Sequence, residues 1–222
     1  MKKIEIKDGE WNEKMIDRYN LIGYYDRMSR VNKFLDLKRF NIMRGFLKRG
    51  SVLELGSGEG IFIGSLTVHQ RRVGIDLSKR LVNISKSKYP KVEFIVGDVR
   101  NIKIKEKFDN IVCSEVLEHV EECDKVVKEA FRLLKDDGIF IVSVPDESVR
   151  LFAKKIFKKF GILNRLSVCN DLKNEWHIHN FNEKSIVELI EANDFKVMSI
   201  RKIPLSLFPV NYILKFCKRK II

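Results

Sequence analysis

The residues of this chain best suited to chemistry begin with Glu54-Leu55-Gly56-Ser57-Gly58-Glu59-Gly60, an acid followed by glycines at alternate positions. The stretch ends one apolar run. A second run, Val73-Gly74-Ile75, ends in Asp76, 22 positions after Glu54. A strand entering a glycine turn, a helix, and a second strand ending in an acid together bind a nucleoside-containing ligand. The glycines let the backbone approach that ligand, and the carboxylate accepts hydrogen bonds from ribose hydroxyls. A dinucleotide fingerprint requires G-x-G-x-x-G/A, but Ile61 stands where its last small residue belongs. No Gly-Lys-Ser/Thr follows the turn, which excludes a P-loop. Glu54 disfavours a nearby pyrophosphate and suits a cationic ligand or a water-bridged amino-acid group.

Four further stretches follow in order. They are Val73-Gly74-Ile75-Asp76-Leu77-Ser78, Phe94-Ile95-Val96-Gly97-Asp98-Val99, Phe108 to Val120, and Leu133 to Pro145. With the glycine turn, they resemble the ordered motifs of the class I S-adenosylmethionine-dependent methyltransferases, across roughly half the chain. Glu115-Val116-Leu117-Glu118-His119-Val120 is similar to the type 11-like small-molecule methyltransferase subgroup, which includes ubiquinone-type enzymes.

The resemblance implies S-adenosyl-L-methionine as cofactor. It also implies an α/β fold: a doubly wound, Rossmann-like, mainly parallel seven-stranded sheet with helices on both faces. Glu54, Gly56, Ser57 and Gly58 then face the methionine part, and Asp76 binds the ribose. Leu77 borders the adenine, Asp98 meets its amino group, and Val99 lies beside it. Ser114 and Glu115 sit near the methyl, while Glu118 caps the next helix or is solvated.

The candidate acid/base groups are His119, beside the fourth strand end, and His177 and His179. An extended stretch would turn the last two to one side. They also suit acceptor binding or half of a metal site. With no third ligand evident, no metal is expected. His69 is expected to be structural.

These residues need elements to carry them. Strands are expected near 51–56, 72–76, 92–97, 109–114 and 138–144, alternating with helices, so that every motif residue lies at a strand's carboxyl end. The chain is expected to be one methyltransferase domain over 1–222. Residues 1–50 form a helical cap, with Phe34, Leu37, Phe40, Met43 and Leu47 on a helix leading to the first strand. Tyr24 and Tyr25 precede that helix, where relatives fold a segment over the cofactor. Residues 51–145 form the cofactor core, and 146–180 a basic amphipathic insertion or lid. Residues 181–222 supply a helix capped by Asn182, a strand from Phe195 to Ile203, and a basic tail. Asn211 to Phe216 suits a last strand.

The net charge of +13 is confined to two segments. Ser148 to Asn170 holds six basic residues and Phe195 to Ile222 seven, neither with an acid, and the rest of the chain is balanced. In the first, Val149, Phe152, Ala153, Ile156, Phe157 and Phe160 oppose Lys154, Lys155, Lys158 and Lys159 at helical spacing. That composition suits peripheral contact with an anionic membrane, through 148–161 and the C-terminal tail, or a helix packed on its own domain. Cys113, Cys123, Cys169 and Cys217 lack metal-site spacing and read as a reduced set. No apolar run has signal-peptide or membrane-span character, so a cytoplasmic location is expected, with peripheral membrane contact.

The expected activity is methyl transfer to a small-molecule or lipid-like acceptor. The alternative is an RNA or protein methyltransferase that uses the basic patch for a polyanion. Against it, no Asp/Asn-Pro-Pro-Tyr stretch, Pro-Cys nucleophile or separate RNA-binding module is present.

Overall fold

The computed structural model describes residues 8–69, 71–146, 149, 177–204 and 209–219. Most of the expected basic insertion, from 147 to 176, lies outside them, as do 205–208 and 220–222.

Seven strands form one sheet: β1 Val52–Leu55, β2 Arg72–Asp76, β3 Glu93–Val96, β4 Phe108–Ser114, β5 Leu134–Pro145, β6 Phe195–Pro204 and β7 Pro209–Lys218. Their order is β3-β2-β1-β4-β5-β7-β6. β1 to β5 run parallel, whereas β7 is antiparallel to both β5 and β6. The doubly wound, mainly parallel sheet expected from the sequence is therefore present. The order reverses between β1 and β4, where Leu55 pairs with Cys113. Ligands of open α/β sheets bind at such a switch point, outside the carboxyl ends of the strands.

Two apolar layers follow from the period-2 alternation of the strands. Leu53, Leu55, Ile111, Cys113, Phe140, Val142 and Leu214 face one side. There they pack against α6 (Cys123–Leu133), through Val126, Val127 and Ala130, and α7 (Glu183–Glu191), through Ile186 and Ile190. Val52, Val112, Ile141 and Ile213 face the other side. They meet Phe40 and Met43 of α3 (Arg30–Phe46), Phe62 and Ile63 of α4 (Ile61–Gly64), and Val82 of α5 (Lys79–Lys88). Asn182 caps α7 in a capping box with Ser185, as its position predicted.

Two features of the helices add to the sequence reading. The helix after the glycine turn is one short turn, Ile61–Gly64, and His69 lies beyond it, with Nδ1 2.8 Å from the Gly50 carbonyl. Of the apolar stripe assigned to α3, Phe40 and Met43 are buried, but Phe34 is 62% and Leu37 46% exposed. The stripe predicted the helix correctly, but it spans more of the surface than the sheet covers.

α1 (Asp8–Arg18) and α2 (Tyr24–Arg27) complete the cap. They are tied to the core by polar contacts at the rim of the site. Ser78 Oγ donates to Glu13 at 2.6 Å, Arg80 pairs with Asp17 at 2.7 Å, and Gly23 N–H donates to Glu59 at 2.5 Å. Lys88 holds the other oxygen of Glu59 at 2.6 Å. Tyr24 is exposed and Tyr25 stacks on Phe40. Among the described residues, no helix is long and apolar enough to cross a membrane.

Candidate active site

The glycine turn begins where β1 ends. Gly56, Gly58 and Gly60 all have positive φ, at 69°, 53° and 75°. At Gly56 an added β-carbon would also lie 2.3 Å from Val116 Cγ2, so the turn and the segment after β4 are in direct apposition. At Gly58 a β-carbon would meet open space, so this part of the turn is accessible from the ligand side. Left-handed backbone costs a residue with a β-carbon about 1–2 kcal/mol, and the Val116 overlap adds to that. Gly56→Ala is therefore expected to lower the melting temperature by roughly 5 °C or more and to weaken cofactor binding. An unchanged melting curve with intact binding would contradict this reading of the turn.

Asp76 closes the arrangement from β2. Its two oxygens accept from Gly58 N–H at 2.8 Å and Ser78 N–H at 2.9 Å, bracing the turn and the start of α5 together. Burial raises its pKa, and nearby Glu13 adds to the rise, against the lowering effect of the two N–H donors. Leu77 follows in the loop, partly buried. Glu54, buried in β1, accepts from Ile63 N–H at 3.2 Å. Burial pushes its carboxyl up to about 8. Ser57 is buried beside them, its N–H donating to the Ile75 carbonyl.

Asp98 lies just beyond β3, and Arg100 holds it through both oxygens, with contacts of 2.6–3.1 Å. Burial would raise its pKa, but Arg100 and its backbone N–H outweigh that and keep the group below the ordinary carboxylate range. Val99 is buried beside it.

Ser114 ends β4 and Glu115 follows it. Ser114 Oγ lies 2.9 Å from Ser143 Oγ on β5. Glu115, with φ of 56°, accepts from Ser143 Oγ at 3.0 Å and Asn211 Nδ2 at 2.9 Å, and pairs with Arg39 at 3.3 Å. Such positive φ at a residue with a side chain is sparsely populated and persists where surrounding contacts hold it. The sequence did not single out Arg39, Ser143 or Asn211. No local signal marks them, because they come from three distant elements that only the sheet order assembles.

Beyond Glu115 the chain makes a 3-10 turn, Leu117–His119. Glu118 is not a solvated cap. It is 1% exposed, and the N-cap of α6 is Glu122. Its carbonyl accepts from Ile178 N–H at 2.7 Å and His179 N–H at 3.2 Å, clamping the returning chain against the turn. His119 and His177 then stack edge to face with centroids 4.8 Å apart. His179 serves a different partner: Nε2 lies 3.0 Å from the Val120 carbonyl and 3.2 Å from that of Glu121. The expected alignment of His177 and His179 is thus replaced by divergence, because the clamp turns one ring to His119 and the other to the backbone. Cys113, Cys123 and Cys217 are free, and Cys169 lies outside the described residues.

A family profile described as a methyltransferase domain matches residues 53–142, from the glycine turn through β5. A ubiquinone biosynthesis O-methyltransferase of Pelagibacter ubique is 28% identical over 190 residues, 78% of this chain and 76% of that protein. The profile match over these residues, this relative and the fold together support a class I S-adenosylmethionine-dependent methyltransferase. A probable S-adenosylmethionine-dependent methyltransferase of Mycolicibacterium smegmatis is 27% identical over 151 residues, 66% of this chain, which spans about half (52%) of that relative. Among solved structures, magnesium protoporphyrin IX methyltransferase from Synechocystis with bound SAH aligns with a TM-score of 0.63 at 19% identity, covering 95% of this chain and 96% of that one. A Pyrococcus horikoshii protein aligns with a TM-score of 0.68 at 22% identity, covering 91% and 99%. These two likenesses speak to the fold alone. S-adenosylmethionine is the cofactor of this methyltransferase, and the glycine turn, Asp76 and Glu54 form a cradle of the right chemistry for it.

Proposed function

We propose that this methyltransferase transfers the donor's methyl group to a small-molecule, lipid-like acceptor held beyond the carboxyl ends of β4 and β5. The observation that carries the reading is the similarity to a ubiquinone biosynthesis O-methyltransferase, which extends over 78% of the chain. The Ser114–Ser143–Glu115–Asn211 network supports it, because a fixed polar wall beside the switch point suits orientation of a compact acceptor.

In this reading Asp76 accepts from the ribose hydroxyls, and Leu77, Asp98 and Val99 border the adenine. Glu54, Gly56, Ser57 and Gly58 face the methionine part, and Ser114 and Glu115 face the methyl. The methyl is already activated on a cationic sulfur, so holding the acceptor atom in line supplies most of the rate. A hydroxyl acceptor sheds its proton in the transfer, and the His119–His177 pair lies at the same strand edge to receive it. His179 anchors that edge. The acid-free basic segments 148–170 and 195–222 supply attraction to an anionic lipid surface from which such an acceptor is drawn.

The test is a methyl-transfer screen with labelled donor against separated lipid, small-molecule, RNA and protein fractions. Label is expected in the lipid or small-molecule fraction, and label confined to RNA or protein would overturn the reading. The full chain is also expected to sediment with anionic liposomes in a salt-sensitive way, lost when Phe152, Phe157 and Phe160 are changed to Ser. Equal sedimentation by that variant would remove the lipid-surface part.

A further inference from the structure

Resting on the assignment of Asp76 to the donor's ribose, we infer that Glu13, carried by the cap helix α1, is a second acid of that subsite. The two carboxylates meet at one residue. Ser78 N–H donates to Asp76 at 2.9 Å, and Ser78 Oγ donates to Glu13 at 2.6 Å. Ser78 is fully buried and caps α5, its Oγ accepting from Leu81 N–H at 3.2 Å. Its position is therefore set by the core. It brings an acid of the cap and an acid of β2 to the same end of the donor cradle. Glu13 is also among the charges that raise the pKa of Asp76, so the two groups act on each other.

A ribose offers two adjacent hydroxyl donors, and each needs an acceptor once the ligand is enclosed. Each Asp76 oxygen accepts one backbone N–H, from Gly58 or Ser78, which leaves part of its acceptor capacity for a hydroxyl. Glu13 accepts from Ser78 through Oε1, while Oε2 stands 3.5 Å from Arg80 Nη1, and its side chain is 31% exposed. It therefore keeps acceptor capacity on an open side. Like charges held close together repel, and hydrogen-bond donors favour the charged form of each. The hydroxyl protons of a diol supply such donors to both acids.

A strap that merely holds the cap is a poorer account of Glu13. Asp17, on the same helix, already pairs with Arg80 at 2.7 Å. Glu13 approaches Arg80 only to 3.5 Å and turns to Ser78 instead. With Glu13 in the subsite, donor binding also holds α1 on the core.

Calorimetric titration of the full-length chain with S-adenosylhomocysteine and with its 2′-deoxy and 3′-deoxy forms tests the assignment. Glu13→Gln is expected to weaken S-adenosylhomocysteine roughly tenfold. The form that lacks the hydroxyl facing Glu13 should be weakened by less than about twofold, because the interaction is already missing from it. Asp17→Asn loosens the strap to Arg80 without touching the ribose, so it should affect all three ligands equally. Melting curves without ligand show that each variant is folded, and Glu13→Ala replaces Glu13→Gln where that variant is not. Three affinities left unchanged by Glu13→Gln, or lowered alike, overturn the role of Glu13. Asp76→Asn is read in the same cycle. Coupling of Asp76 to a hydroxyl with none at Glu13 overturns Glu13 alone, whereas no coupling at either acid overturns the ribose assignment as well.

Discussion

Asp76→Ala is expected to abolish the rise in melting temperature that S-adenosylmethionine should give the wild-type chain. A ligand that binds only the folded state at one hundred times its Kd stabilises by about 2.7 kcal/mol. For a chain of this size that is a shift of roughly 5–10 °C. The variant loses the shift for two reasons. It removes the acceptors proposed for the ribose hydroxyls. It also removes the brace between Gly58 and Ser78, whose N–H groups both donate to this carboxylate, so the turn loses the shape that fits the ligand. Asp76→Asn separates the two effects. It keeps an acceptor for one N–H but turns its amide NH2, a donor, to the other, so it should bind weakly and keep more of the wild-type melting temperature without ligand than Asp76→Ala does. Calorimetric titration and melting curves on the three proteins check this. An Asp76→Ala chain with the full shift would remove Asp76 from the cofactor site.

The parts of this site that were legible in the sequence are those in which one short segment does the work. The glycine turn, Asp76 and the five parallel strands are each written in an apolar run with a punctuating glycine or acid. The last strand was also legible, since Asn211 to Phe216 lies within β7. What escaped depends on contacts between distant segments. Glu115 and Asn211 are 96 positions apart and meet only because β7 inserts antiparallel beside β5. Glu118 looked like a helix-start residue, which would be solvated. It is buried because Ile178 and His179, some 60 positions later, close over the turn. Phe34 and Leu37 mark the opposite limit. Helical spacing says which residues share a face, and not how much of that face another element covers.

The affinity for S-adenosylmethionine is expected to rise with pH up to about 8, through Glu54. Burial holds this carboxyl near 8 in the unliganded chain, with Ile63 N–H and Arg39 favouring its ionised form and Asp76 opposing it. Below that pH the group is mostly neutral, while a cationic ligand favours the carboxylate, so binding draws a proton off and is weakened as pH falls. The limit for one group is a factor of ten per pH unit. The ligand's own ammonium titrates near the same range, so Glu54→Gln is the needed reference. It should bind more weakly above pH 8 and lack the slope attributable to Glu54. Stability of the unliganded chain moves the opposite way. The folded state holds this proton from the ordinary carboxyl value of 4.5 up to about 8, where the unfolded state has already lost it. The carboxyl therefore contributes its full stability below 4.5 and progressively loses it as pH rises to 8. Ligand should restore part of that loss at the alkaline end. Titration calorimetry and melting curves across this range check both signs, and a Glu54→Gln chain with the wild-type pH slope would assign the effect to another group.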